Sequence, residues 1–250
     1  FRRPVIVGSE LVSFSALVTA RHAGIKPVAM IEEGRRIVAR RPGDWIARWA
    51  FGVPVRPNTR VVEIFGSDRV EAVELECAGV RERVGCDGVV FTGRFTPEAT
   101  LARCGPLDVD PRTGGPSIDD RWRCTDPAYF AAGNVLRPVE HSGFVAAEAR
   151  AAADSIAAVL SNEPDTRGGP IEVKAGGAAR YVYPQRIARD ARQVTLHGRA
   201  EIEHRGQLRI AADGRTISLR RVHVYPERRI STTIEAAQFS DASRLEFILD

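Results

Sequence analysis

The chain has 250 residues, 44% hydrophobic and 27% charged, with a formal net charge of +4. That length suits one or two domains with a real core, and its 36 basic residues are scattered among 32 acidic ones, without the basic stripe and interleaved aromatics of a nucleic-acid binder. No apolar run approaches the ~20 residues of a membrane span, no signal peptide is visible, and the four cysteines show neither C-x-x-C nor a histidine at ligand spacing, so they read as unpaired thiols in a reducing cytoplasm with no metal site.

The chain opens on "RPVIVGSELVSFSALVTARHAG". Val5 to Val7 predicts a short strand, followed by a tight turn. A helix from Leu11 to Ala23 places Leu11, Phe14, Ser15, Val18 and His22 near one face, and Gly24 ends it. "PVAMIEEG" predicts a second strand and "GDWIARWAFG" a short helix, on which Trp45 and Trp49 read as packing residues. "RRIVARR" reads as a solvated arginine face. The turn residues Gly8, Ser9, Glu10 and Ser13 stand where a dinucleotide-binding unit has G-x-G-x-x-G/A. Gly8 and Ser13 suit the first and third places; Glu10 fails the second. Glu32 or Glu33, about 20 residues on, occupies the place of a ribose ligand. A carboxylate at position 10 competes with pyrophosphate for the helix N-terminus, and as a cap it would contribute about 1 kcal/mol.

From Arg60 the hydrophobic period changes to alternation. Turn signals at Gly66-Ser67-Asp68 and Ala78-Gly79 predict a β-meander, then a buried strand over Gly88 to Thr92. "DPAYFAAGNV" predicts a strand ending at Ala132-Gly133-Asn134. His141 reads as the cap of the Ala-rich helix that follows, and Asp119-Asp120 as a solvated loop pair. Residues 164 to 170 read as a linker. Beyond them the alternation is continuous, with turns at His204-Arg205-Gly206 and Asp213-Gly214.

The run Thr125 to Asn134 resembles the second flavin-binding signature of the pyridine nucleotide–disulfide oxidoreductase superfamily: Thr, four residues, an aromatic, Ala, any residue, Gly, Asp. This sequence has Asn134 in the Asp place. Gly93 and Pro97 match the segment by which that family's chain returns to its FAD domain. The resemblance covers about residues 3 to 160. It is closest to the thioredoxin-reductase-like branch, including the large subunits of amine, opine and cyanide-forming oxidoreductases. It implies an α/β fold: a Rossmann-like, NAD(P)-type insert over residues 1–92, with a β-meander, and the C-terminal part of an FAD-binding domain over 93–163. A small antiparallel, sandwich-like β domain over 171–250 lies outside the resemblance.

The function implied is an FAD-dependent oxidoreductase acting on a small organic substrate, cytoplasmic, with a partner subunit or electron acceptor and neither nucleic acid nor membrane as partner. Gly133, Asn134, Ser142, Gly143 and Phe144 would contact FAD. Gly8, Ser9, Glu10, Ser13 and Glu32 would form a degenerate nicotinamide-type site, so NAD(P) binding is not expected. No catalytic acid or base is named by the sequence. The absent C-x-x-C argues against disulfide reductase chemistry. The absent full G-x-G-x-x-G suggests that the adenine side of FAD is held by residues outside this sequence. Two other functions stand beside this one: a non-catalytic assembly or electron-transfer subunit using the nucleotide fold as scaffold, and an NAD(P)H-dependent flavin reductase.

Overall fold

A computed structural model describes residues 1–39, 42–93, 95–138, 140–161, 169–226 and 228–250. The chain folds as two units, Phe1–Phe95 and Thr96–Asp250.

In the first unit, β1 (Val5–Val7), α1 (Leu11–His22), β2 (Ala29–Ile31), α2 (Gly43–Phe51) and β3 (Val55–Arg56) alternate. The meander β4 (Thr59–Phe65), β5 (Ala72–Cys77) and β6 (Val80–Gly85) follows, then β7 (Val89–Phe91). The parallel sheet runs β3-β2-β1-β7, with Val5 level with Ala29 and Val89. Alternate side chains leave opposite faces of these strands. Ile6 and Met30 therefore pack with Leu17, Ala47 and Val53 of the helical layer. Val5, Ala29 and Ile31 pack with Val73 and Leu75 of the meander. The end of α1 is a Schellman arrangement, with Ile25 N donating to Ala20 O and Gly24 N to Arg21 O.

Several expectations for this unit need correction. The buried face of α1 is Ser13, Leu17 and Ala20, while Leu11 is 71% and Val18 43% exposed. The small Ser13 permits close approach to the sheet, and that contact fixes the helix's rotation. β7 is half-buried rather than buried, because it is an edge strand with Phe91 exposed. Trp45 and Trp49 do not enter the core: they are 59% and 75% exposed, with ring centroids 6.4 Å apart. Of the "RRIVARR" stretch, Arg35 and Arg36 are exposed and Arg40 and Arg41 lie outside the described residues.

The second unit begins with α3 (Thr100–Cys104) and a long irregular stretch. A 3-10 turn at Gly133–Val135 precedes α4 (Ser142–Leu160). The predicted strand ending at Asn134 is therefore a turn; upstream, Phe130 makes only an isolated bridge to Arg123. Then come β8 (Ile171–Gly177), β9 (Ala179–Tyr183), β10 (Arg186–Ile187), β11 (Gln193–Ala200), β12 (His204–Ala212), β13 (Arg215–Val224), β14 (Ile230–Glu235), the one-turn α5 (Ala236–Phe239) and β15 (Arg244–Leu249). They form a five-stranded sheet, β10-β8-β15-β12-β13, and a three-stranded sheet, β14-β11-β9. Leu196, Leu208, Ile210, Leu245 and Phe247 are in the core they enclose.

The pairing is antiparallel except for β8 and β15, which run parallel. The Asp213–Gly214 hairpin forms with both residues at positive φ (46° and 84°), the type I′ turn that joins twisted strands. The turn expected at His204-Arg205-Gly206 falls earlier, since those residues pair with Val224, His223 and Val222 in β12. The predicted linker falls largely at 164–168, outside the described residues.

Residues 96–161 and 171–250, divided in the sequence reading, share this second unit. Side chains and backbone cross-link them: Ile118 N donates to Gln185 Oε1 (3.0 Å), Ala188 N to Asp120 Oδ1 (2.7 Å) and Arg112 Nη1 to Ala179 O (3.0 Å). Asp119 and Asp120 are accordingly no solvated pair. Asp119 holds the Arg121 and Arg123 amides and the Arg123 side chain, while burial raises the Asp120 pKa. Among the described residues no helix is long and apolar enough to cross a membrane.

Candidate functional site

Two places hold the residues singled out by sequence. The first is the turn between β1 and α1. Gly8 has φ +115°, and its N–H donates to Ile31 O at 2.9 Å. A Cβ there would lie 2.5 Å from Thr92 Oγ1 and 2.7 Å from Glu10 Oε2, so glycine is required twice over. Glu10 is the N-cap residue of α1, but its side chain makes no cap hydrogen bond. The sequence expectation of a carboxylate cap is corrected. The carboxylate instead lies over two glycines: a Cβ on Gly93 would stand 2.6 Å from its Oε1. Ser13 Oγ lies 3.3 Å from Oε2. Burial raises the Glu10 pKa, against the pull of the Glu10 and Ser9 backbone amides and the Ser13 hydroxyl; nearby Glu32 adds to the rise.

The other members of this site are satisfied within the chain. Ser9 and Ser13 are fully buried. Ser9 Oγ donates to Glu32 Oε2 and accepts from Val38 N at 2.9 Å, while Ser9 O accepts from Ala39 N at 2.9 Å. Glu32 Oε1 accepts from Gly34 N at 2.8 Å. Ser13 Oγ and Thr92 Oγ1 share a hydrogen bond of 2.7 Å, and Thr92 Oγ1 also lies 3.0 Å from Val7 O. The structure thus brings all five predicted residues together. It also engages both Glu32 oxygens with groups of the chain.

The second place is the start of α4. Gly133 has φ +78°, and a Cβ there would lie 2.9 Å from Val145 Cγ1, so the 3-10 turn can press against the first turns of α4 only with glycine. Asn134 is exposed; its Oδ1 accepts from Glu140 N at 3.0 Å, which turns the amide NH2 into the remaining polar group. His141 caps the helix as the sequence predicts, Nδ1 accepting from Gly143 N at 3.1 Å. That cap requires the Nε2–H tautomer. Phe144, 44% exposed, meets His141 edge-on at 5.9 Å.

Behind this helix start lies a cluster that the sequence reading missed. Arg137 is fully buried, and Glu140 and Glu148 are nearly so. Arg137 Nη2 pairs with Glu148 Oε1 and, at 3.4 Å, with Glu140 Oε2. Its guanidinium carbon stands 4.1 Å from the centroid of the Tyr183 ring. Arg199 Nη2 is 3.2 Å from Glu140 Oε1, and Arg229 Nη1 is 3.0 Å from Glu148 Oε1 and 3.2 Å from Tyr183 Oη. His197 stacks at 5.1 Å on Tyr183. Burial pushes the Tyr183 hydroxyl well above its ordinary pKa. Burial, then Arg229 and Arg137, push His197 down to about 3. Within such a group the loss of one partner typically costs about 3–5 kcal/mol, because a buried charge is left alone. One signal was available: Glu148 shares the buried stripe of an Ala-rich helix with Ala152. A charge on that stripe needs a partner from elsewhere.

With this geometry in view, solved structures with the same fold can be named. The chain superposes on thioredoxin reductase of T. acidophilum with a TM-score of 0.54 and 19% identity, over 65% of this chain and 53% of that one. It superposes on an FAD-dependent pyridine nucleotide-disulphide oxidoreductase from Desulfovibrio vulgaris with a TM-score of 0.52 and 18% identity, over 83% and 53%. For an NAD-dependent persulfide reductase from A. fulgidus the values are 0.54 and 15%, over 94% and 43%. The chain therefore has the α/β fold of the pyridine nucleotide–disulfide oxidoreductases, and spans about half the length of the solved structures it matches. Thioredoxin reductases share this fold, so the fold gives no ground for setting disulfide chemistry aside. No family model matches the sequence. No curated protein matches it either.

Proposed function

We propose that this chain works as part of a cytoplasmic FAD-dependent oxidoreductase acting on a small organic substrate, with its nicotinamide-type site closed. The observation that carries the reading is the Gly133–Asn134 turn pressed against the start of α4, in the sequence context of a flavin signature. The residues fit the cofactor. Gly133 lets the backbone come close, Asn134 presents an amide NH2 for a ribitol hydroxyl, and Ser142, Gly143 and Phe144 form the positive end of a 19-residue helix. Bound FAD would supply the hydride and electron chemistry. The chain's own residues orient it and offer the helix N-terminus to developing negative charge. His141 contributes the cap that shapes this turn.

The closed nucleotide site rests on Glu10. A bound pyrophosphate would meet its carboxylate over Gly8 and Gly93, and like charges a few Å apart in a water-poor site cost several kcal/mol, on the order of 4 kcal/mol at 4 Å. Reducing equivalents would then come from the organic substrate and leave to an electron acceptor or partner subunit. These 250 residues contain no C-x-x-C, so a dithiol relay is not part of the proposal.

The test is spectroscopic. The protein expressed from its full coding sequence should be yellow, or take up added FAD with a dissociation constant in the micromolar range or below. A colourless protein that refuses FAD overturns the reading. That outcome favours an assembly subunit, which the self-filled nucleotide site of the first unit also suits. Titration with NADH and NADPH should give weak or no binding in the wild type and a gain of at least tenfold in Glu10→Gly. Tight binding to the wild type, or rapid flavin reduction by either nucleotide, would instead support the NAD(P)H-dependent flavin reductase.

A further inference from the structure

Two features of α4 go unused in the flavin reading. Its first turn carries Phe144, with an arginine over the ring. Its second turn carries Glu148, a buried carboxylate. Positions 144 and 148 lie one turn apart on one face of the helix, and both are engaged by the same side chain, Arg229, which stands immediately before β14. The Arg229 guanidinium carbon is 3.6 Å from the Phe144 ring centroid. Its Nη1 is 3.0 Å from Glu148 Oε1 and 3.2 Å from Tyr183 Oη. One side chain of the C-terminal β layers therefore holds the start of α4 at two points and links it to the end of β9.

Charge adds to position. Among the five charged side chains of this group, three guanidiniums, of Arg137, Arg199 and Arg229, meet two carboxylates, of Glu140 and Glu148. The excess positive charge lies at the N-terminal part of α4, at the same end as the positive pole of its dipole. Poor access of water lengthens the reach of that charge. Loss of Arg229 would leave two arginines against two carboxylates, and the excess would vanish.

We propose that Arg229 is a positioning residue for the flavin seat, by which the C-terminal β layers set how strongly the start of α4 favours reduced over oxidised FAD. The inference rests on the FAD reading above. It needs no new chemical step, because Arg229 acts through Phe144, Glu148 and the field at the helix end.

The experiment compares wild type, Arg229→Lys and Arg229→Gln in the full-length protein loaded with FAD. Three quantities are read: the FAD dissociation constant by flavin fluorescence, the two-electron midpoint potential, and the urea midpoint of unfolding. The glutamine variant is expected to lose about tenfold in preference for reduced flavin, a midpoint potential lower by about 30 mV. The lysine variant should recover most of that shift, because it restores the charge. It should not recover the stability contributed by the planar stack on Phe144. If both variants keep the wild-type potential and FAD affinity and lose only stability, Arg229 is a structural clasp and the proposal is overturned. If lysine and glutamine shift the potential equally, the charge argument fails. A wild-type protein that binds no FAD overturns the underlying reading itself, a result separable from either.

Discussion

Glu10 and His197 show how one residue's surroundings decide what its type can do. The sequence reads Glu10 as a cap at the start of a helix, yet its carboxylate folds back over Gly8 and Gly93 and burial raises its pKa. It fills space that the fingerprint's second glycine would leave open. His197 is the opposite case: an imidazole made neutral by its neighbours. It is half-buried on Tyr183, bonded to Ser231 Oγ at 2.8 Å, and pushed from 6.5 to about 3 by burial first and by Arg229 and Arg137 second. Below 6.5 the unfolded chain binds a proton there that the folded chain refuses until about 3. His197 therefore costs nothing above that window and lowers stability as pH falls through it. The slope is at most about 1.4 kcal/mol per pH unit, and smaller for a half-buried ring. His197→Gln should flatten stability against pH between 6.5 and 4, measured by urea unfolding at several pH values. A slope unchanged by the substitution would place the acid sensitivity outside His197.

At the scale of elements, the 3-10 turn before α4 is set by a contact rather than by propensity. Gly133 combines φ +78° with an approach that leaves a Cβ only 2.9 Å from Val145 Cγ1. An alanine would carry left-handed strain of about 1–3 kcal/mol and push against the helix as well. Gly133→Ala should destabilise the second unit by at least that strain in chemical denaturation. Combining it with Val145→Ala should recover the part due to contact but not the part due to φ. Full recovery would mean that the backbone is unstrained. Equal losses in both would mean that the two residues do not meet. The same approach explains why the signature's apolar run ends in a turn here and not in a strand.

For the whole molecule the informative boundary is the one at residue 95. The β layers have a core of their own, since Leu196, Leu208, Ile210, Phe239, Leu245, Phe247 and Leu249 all lie beyond residue 170. Their polar partners do not. Tyr183, Arg199 and Arg229 reach Arg137, Glu140 and Glu148, and Gln185 holds Ile118. We propose that residues 171–250 fold on their own but with reduced stability, because separation strands Arg199, Arg229 and the Tyr183 hydroxyl without those partners. Expressed alone, this piece should melt cooperatively and several degrees below the single transition of residues 96–250. A 1 kcal/mol loss alone lowers the melting point of a domain this size by roughly 4–8 °C. Absence of a cooperative transition would sink the proposal; equal melting points would deny the clasp any energetic role.

What the sequence determined by itself was whatever short-range chemistry decides. Gly24 after a helical period ends α1, Asp213-Gly214 between alternating runs makes a hairpin, and the switch of period near Arg60 marks the meander. His141 before an Ala-rich run caps it. The spacing of Gly8, Ser13 and Glu32 pointed to the first candidate site, and the resemblance of the run Thr125 to Asn134 to a flavin signature pointed to the second. Tertiary structure decided which way a side chain turns and what it meets. Nothing local tells Glu10 to lie over Gly93, 83 residues away, or aims Arg229 at Glu148. The face of α1 was misread because close packing of Ser13 outweighs the burial of Leu11. The parallel pairing of β15 with β8 could not be read either, because strand direction depends on the path of the chain between them. Charges at long sequence separation pair only once the fold brings them out of water together, and it is there, in the cluster behind α4, that sequence reasoning saw least.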